Sequence, residues 1–147
     1  MADLAAIRAG IRDLLFSAFP ASNVTGYLLV NSWTPAFEVE IGNAGVVYDT
    51  AMQSGLDEWM FTIRGLAGQN LDLPAQMQLD AWFTTPGTSA SPSVKWALEQ
   101  DRTLGSTVSD SDVLTVSQVR SYTPIATPGS SFFGAEWTLR VIAPGHG

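Results

Sequence analysis

Leu56-Asp-Glu-Trp-Met-Phe-Thr-Ile-Arg-Gly-Leu66 is the stretch whose reading decides the fold. Trp59, Phe61 and Ile63 fall at every second position, with Glu58, Met60, Thr62 and Arg64 between them. A strand points successive side chains to opposite faces, so the alternation predicts one apolar wall and one mixed wall. Aromatic and β-branched residues suit that pleated surface. The stretch is therefore expected to be a central strand.

Upstream, Phe37-Glu-Val-Glu-Ile41 alternates in the same way. Phe37, Val39 and Ile41 are expected to face the core, and Glu38 and Glu40 the opposite side. Gly42-Asn-Ala-Gly45 reads as a turn, Val46–Tyr48 as a brief apolar piece, and Asp49–Gly55 as a polar loop. The connections are too short for crossover helices, so two or three antiparallel strands are expected between residues 37 and 66. Tyr27–Val30 reads as a further short strand. Before it, Leu4, Ile7, Ile11, Leu14 and Leu15 recur at helical spacing, with Asp3 as the expected cap and Pro20 ending the helix near Phe19.

Downstream of Gly68 the period changes. Asp72 is placed to cap a helix carrying Met77, Leu79, Trp82 and Phe83. The small polar run 84–91 reads as a loop, and Ser91-Pro92 as the cap and first residue of a short helix reaching about Asp101. Val94, Ala97 and Leu98 are its expected inward residues. Val113–Ser121 and Phe133–Ile142 then close the chain as strands. In the second, Phe133, Ala135, Trp137, Leu139 and Val141 form the apolar set. The expectation is a single α+β domain over residues 1–147. It has a mostly antiparallel sheet with helices packed on one face, in the order α-β-β-β-α-α-β-β.

Charge narrows the possible partners. Seven basic against fourteen acidic residues give a net charge of −7, which disfavours gripping nucleic acid. Charged residues make up 14% of the chain, below the ordinary ~25%. Burial against partners would account for this, as would loops rich in Ser, Thr, Gly and Pro. The absence of Cys rules out disulfides and thiolate metal sites and leaves the compartment open. No apolar run approaches the ~20 residues of a bilayer span, and no secretory signal is visible, so production in a cytoplasm is expected.

Residues able to carry chemistry are few. The single imidazole, His146, lies in Pro-Gly-His-Gly at the end of the sequence, a poor support for a triad or a metal. No nucleophile elbow, phosphate-binding loop or dinucleotide fingerprint occurs. Glu38 and Glu40 resemble a glycosidase pair only in being two nearby carboxylates, and read better as an acidic stripe. Asp110 and Asp112 imitate the start of a calcium loop, but Leu114 and Thr115 break the pattern. The expectation is no enzyme, no cofactor and no metal. Trp59, Trp82, Trp96 and Trp137 fall within periodic elements and are expected to pack. Trp33, in Asn-Ser-Trp-Thr-Pro, is the aromatic expected to be accessible. Arg8 and Arg12, one helical turn apart, either meet acidic groups of a neighbouring chain or form an ordinary solvated face.

Several segments, in this order, carry a resemblance. They are Leu4-Ala-Ala-Ile-Arg8, Tyr48-Asp-Thr-Ala-Met-Gln-Ser-Gly-Leu-Asp57, Leu79-Asp-Ala-Trp82, Ser93-Val-Lys-Trp-Ala-Leu-Glu99 and Gly134-Ala-Glu-Trp-Thr138. Together they resemble the tail terminator proteins of long-tailed bacteriophages, in particular those of actinobacterial phages. The resemblance implies a non-enzymatic virion protein made in the host cytoplasm and assembled as a homo-hexameric ring. Such a ring binds the head-proximal end of the tail tube protein, stops its polymerisation and meets the neck or head-completion protein. Genome DNA would pass through without specific binding, and no membrane is involved. An acidic bore would let DNA slide, and Glu38, Glu40, Asp57 and Glu58 are the residues expected to contribute to it. A neck protein and a monomeric ligand-binding module are the alternatives.

Overall fold

Period-two alternation on four long segments and period-3.6 alternation on three others build a two-layer α+β domain. The computed structural model describes residues 4–20, 22–27, 35–49, 56–69, 73–83, 92–104, 108, 110–122 and 132–144. Its elements are α1 (Leu4–Ala18), β1 (Asn23–Val24), β2 (Ala36–Asp49), β3 (Leu56–Gln69), α2 (Leu73–Phe83), α3 (Val94–Leu98), β4 (Asp110–Tyr122) and β5 (Phe132–Pro144). The strands form one sheet in the order β1-β2-β3-β5-β4. All neighbours run antiparallel except β1, which lies parallel to β2 at Ala36 and Phe37. The sheet is thus mixed, and the expected element order holds.

The central position expected of Leu56–Leu66 is observed. β3 pairs with β2 on one side and with β5 on the other along nearly its whole length. Its wall of Phe61 and Ile63, both fully buried, meets Phe37 and Val39 of β2 and Ala135, Trp137, Leu139 and Val141 of β5. From α1, Ile7, Ile11 and Leu15 enter this core at four-residue spacing, and α2 and α3 add Leu79, Trp82, Val94 and Leu98. Burying a side chain of that size contributes about 1.5–3 kcal/mol each, so this layer holds the fold together.

The aromatic rings meet over one glycine. Phe37 and Trp82 lie 4.7 Å apart, Trp82 and Trp137 6.1 Å, and Phe19 closes on Phe37 at 5.3 Å. A Cβ on Gly65 would come within 2.9 to 3.0 Å of Phe37, Trp82 and Trp137. The missing side chain makes the floor on which three rings converge. Next to it, Gly134 approaches so closely that a Cβ would strike the carbonyl oxygen of Gly65.

Four local expectations change. The segment 42–45 is a bulge rather than a turn: β2 runs unbroken to Asp49 with a register shift between Ile41 and Val46, and Gly45 takes a φ of +64°. Glycine alone adopts that geometry without a Cβ penalty. The first strand is Asn23–Val24, and Tyr27 lies beyond its end; residues 28–30 of the expected strand lie outside the described residues. The short helix begins at Val94, capped by Ser93, whose hydroxyl accepts from Trp96 N at 3.1 Å, and it ends at Leu98. Ile41, expected in the core, is 38% exposed where β2 enters the bulge and its register with β3 shifts.

Candidate functional site: an ionic face on the side of the sheet away from the helices

Helices cover one side of the sheet, and the other side carries the alternate residues of four strands. Strand register lines them up in rows. Glu38, Arg64, Glu136 and Ser117 form one row, and Arg140 faces Asp112 in another. Opposite charges on the same face of adjacent strands are close enough to pair.

Arg64 is the hub of the first row. Its Nη1 donates to Glu38 Oε1 at 3.2 Å, its Nη2 to Glu40 Oε1 at 2.7 Å, and its Nε to Glu136 Oε2 at 2.9 Å. Three carboxylates around one guanidinium leave the cluster two negative charges in excess. Its inner end is dry, with Glu38 buried between the strands, and its outer end, Glu40 and Glu136, reaches water. A planar guanidinium serves the three carboxylates through five donors in fixed directions, where a lysine would offer a compact point charge. Beside it, Arg140 grips Asp112 with two parallel bonds of 3.0 and 3.1 Å. The aspartate that imitated a calcium ligand is therefore an ion-pair partner inside a strand.

Asp110 is paired too. Arg102 Nε and Nη2 donate to its two carboxylate oxygens at 2.9 and 3.0 Å, and Nε also donates to the carbonyl of Ser111. The hydrogen bond that Arg102 donates to Asp110 leads the causes that hold its guanidinium above the ordinary value. Glu99 accepts from Lys95 Nζ at 2.6 Å and from the Val113 amide at 3.0 Å. Partial burial alone would push the Glu99 carboxyl up, yet those two bonds together with the Lys95 and Arg102 charges hold it below the usual carboxylate value.

The residues singled out from sequence are separated by this arrangement. Glu38 is buried against Arg64, and Asp57 is buried at the start of β3, so neither lines a solvent-filled surface of the chain. Glu40 and Glu58 are partly exposed. Arg8 belongs to the fold: its Nη1 donates to the carbonyls of Gly26 and Val39 at 2.8 and 3.0 Å, and its guanidinium lies 4.5 Å over the Tyr27 ring. Arg12 pairs with its sequence neighbour Asp13 in water. Trp33 and His146 lie outside the described residues. Trp82 and Trp137 are core residues, and Trp59 stacks on Phe61. Arg64 and Glu136 were not singled out, although the alternation that places Glu38 and Glu40 on one face also places Arg64 and Glu136 there.

A groove of about 330 Å³ separates α1 from α3, lined by Leu14, Ser17, Ala18, Trp96, Ala97 and Gln100. It carries no charge, and the Gln100 amide is already used on the carbonyl of Trp96. Among the described residues no group of three or more His, Asp or Glu side chains is placed to hold a metal ion. No helix among them is long and apolar enough to cross a membrane. Comparison with protein families and with curated proteins gave no match to this chain.

Proposed function

We propose that the protein is a tail terminator of a long-tailed bacteriophage. In this reading it is a structural virion protein that assembles as a ring on the head-proximal end of the tail tube, ends tube growth and presents a surface to the neck. The sequence resemblance supplies the family. One structural observation supports the role: the sheet face away from the helices carries an ion cluster with excess negative charge. An acidic face of this kind repels phosphate and lets duplex DNA move past. Glu40, Glu58 and Glu136, three carboxylates of that face with access to water, are the residues we assign to the bore. The protein is made in the host cytoplasm, joins the tail tube protein and the neck protein, and passes the genome without specific binding.

The test is to add purified protein to polymerising tail tube protein and image the tubes with this chain labelled. Tubes capped at one end, with growth arrested, are the expected result. Tubes that keep growing with no label at either end would overturn the reading, and label at the capsid vertex alone would make it a neck protein.

A further inference from the structure

Two helices hold large apolar side chains in water. Among the described residues, those with more than half their surface exposed are Phe16, Tyr27, Leu73 and Met77. They fall into two groups, one along α1 and one along α2.

On α1, Arg8, Arg12 and Phe16 follow at four-residue spacing and so form one stripe along the helix. Tyr27 extends the stripe at its Arg8 end, where the guanidinium lies 4.5 Å over the ring. The bonds from Arg8 to the carbonyls of Gly26 and Val39 set this stripe beside β1 and β2. Arg12 meets Asp13 through Nε and Nη2, with more than half of both side chains exposed. Such a pair contributes little, and a five-donor guanidinium can serve a second carboxylate.

On α2, Leu73, Met77 and Asp80 recur at positions i, i+4 and i+7 and are all exposed, while Ala75, Leu79 and Trp82 are buried. Asp80 is the only charged residue of this helix. A surface helix ordinarily sets charged and polar residues opposite its buried stripe. This one packs on β3 and β5 with one side and holds a leucine and a methionine in water on the other. Aromatic residues, methionine and arginine at low charge density are the composition of a contact between proteins.

The two stripes complement one another. Each sets a large apolar side chain one helical turn from a charge, Phe16 from Arg12 and Met77 from Asp80, and the charges are opposite. We infer that the α1 stripe packs on the α2 stripe of a second copy of this chain, with Phe16 against Leu73 and Met77 and Arg12 beside Asp80. Rows at four-residue spacing on two helices interlock at a crossing of about −50°, the commonest helix packing. A methionine sulfur beside an aromatic ring adds a favourable contact. Either stripe set against its own twin would bring like charges together, which selects the unlike pairing. Two different faces meet, so the contact is head-to-tail, and such contacts form rings when the rotation closes. The contact stands on the two helix faces alone; its closure into a ring rests on the proposed function.

The chain contains no cysteine, which makes crosslinking clean. Ala9→Cys or Ser17→Cys is combined in turn with Gln76→Cys or Ala81→Cys, positions that neighbour the two stripes and leave their side chains in place. The full-length variants are treated at high concentration with a short bis-maleimide, alone and with tail tubes. Covalent trimers and larger species from at least one double variant are expected, with no crosslinks from any single-cysteine protein. In that variant, Arg12→Glu and Asp80→Arg should each lower the crosslinked fraction about tenfold or more, and the two together should restore it. Both lie at exposed positions and should keep the circular dichroism of the parent. Dimers from a single-cysteine protein, or nothing beyond dimers from every double variant under both conditions, would overturn the inference. An unchanged yield in the single reversals, or no recovery in the double one, would overturn it as well. Ladders formed by a protein that fails to cap tubes would leave the inference standing and remove the proposed function. Tubes capped normally by double-cysteine proteins that form no ladder would do the reverse.

Discussion

Glu38 Oε1 lies 3.2 Å from Arg64 Nη1 across the β2–β3 ladder, with 2% and 9% of the two side chains exposed. The pair anchors the dry end of a cluster whose other carboxylates face water. Arg64 therefore does more than neutralise one neighbour: without it, Glu38 loses the cation at its Oε1, and Glu40 and Glu136 lose the cation they share.

Removing the arginine should hurt more than removing the glutamate. Arg64→Met takes the cation away from a buried carboxylate and is expected to destabilise the fold by about 3–5 kcal/mol. Glu38→Leu leaves Arg64 with Glu40 and Glu136, so its effect is expected to be smaller. The double change Glu38→Leu/Arg64→Met should recover part of the loss of Arg64→Met. Urea denaturation of the three variants checks the order, and a double variant less stable than Arg64→Met would refute it.

Gly65 is the second sensitive point. Gly65→Ala drives a methyl group into Phe37, Trp82 and Trp137 at once, and overpacking of this kind typically costs about 1–3 kcal/mol. The near-ultraviolet circular dichroism of the tryptophans should change with it. Gly45→Ala is the useful comparison, because nothing lies within 4 Å of its Cβ and only the positive φ is strained. Its effect, about 1–2 kcal/mol, should leave the aromatic signal unaltered.

The contrast between these glycines shows what the sequence could reveal. Alternation in 37–41, 56–66 and 133–142 exposes the strands and their buried faces directly, because burial itself imposes the period of two. The same period places Glu38, Glu40, Arg64 and Glu136 on one side of the sheet, so the ionic face was legible in outline. What the pattern lacks is strand order. Arg64 becomes a hub only because β2 and β5 flank β3, a long-range choice that no local window contains. Gly42–Gly45 looked like a turn since bulges and turns use the same residues, and only the register of β3 separates them. Arg8 occupied a polar helix position, yet a long guanidinium stem crosses apolar surface to reach two carbonyls.

Arg8 and Arg12 should therefore behave differently. Arg8→Met leaves the carbonyls of Gly26 and Val39 without their donor and removes the stack on Tyr27. Each charged hydrogen bond of this kind contributes about 1.5–3 kcal/mol, so a loss of about 2 kcal/mol or more is expected in the isolated chain. Arg12→Ala breaks an exposed pair with its neighbour, and its effect should stay below about 1 kcal/mol. Thermal denaturation at low protein concentration separates the two, and equal small effects would return Arg8 to the surface.

Acid should reach the fold partly through Glu99. Burial opposes its ionisation, yet hydrogen bonds from Lys95 and Val113 and the charges of Lys95 and Arg102 hold its folded value below the ordinary 4.5. A carboxyl depressed in this way adds stability that is fully present above pH 4.5 and is lost as the pH falls through the lower, folded value. Glu99→Gln cannot ionise, so the variant lacks that contribution at every pH. The stability gap between parent and variant should be widest at neutral pH and should narrow progressively once the pH drops below 4.5. Chemical denaturation of both proteins from pH 7 down to pH 3 measures the gap directly. A gap that stayed constant over that range would mean that the carboxylate charge contributes nothing beside Val113 of β4, and that Glu99 acts there only as a neutral acceptor for the Val113 amide.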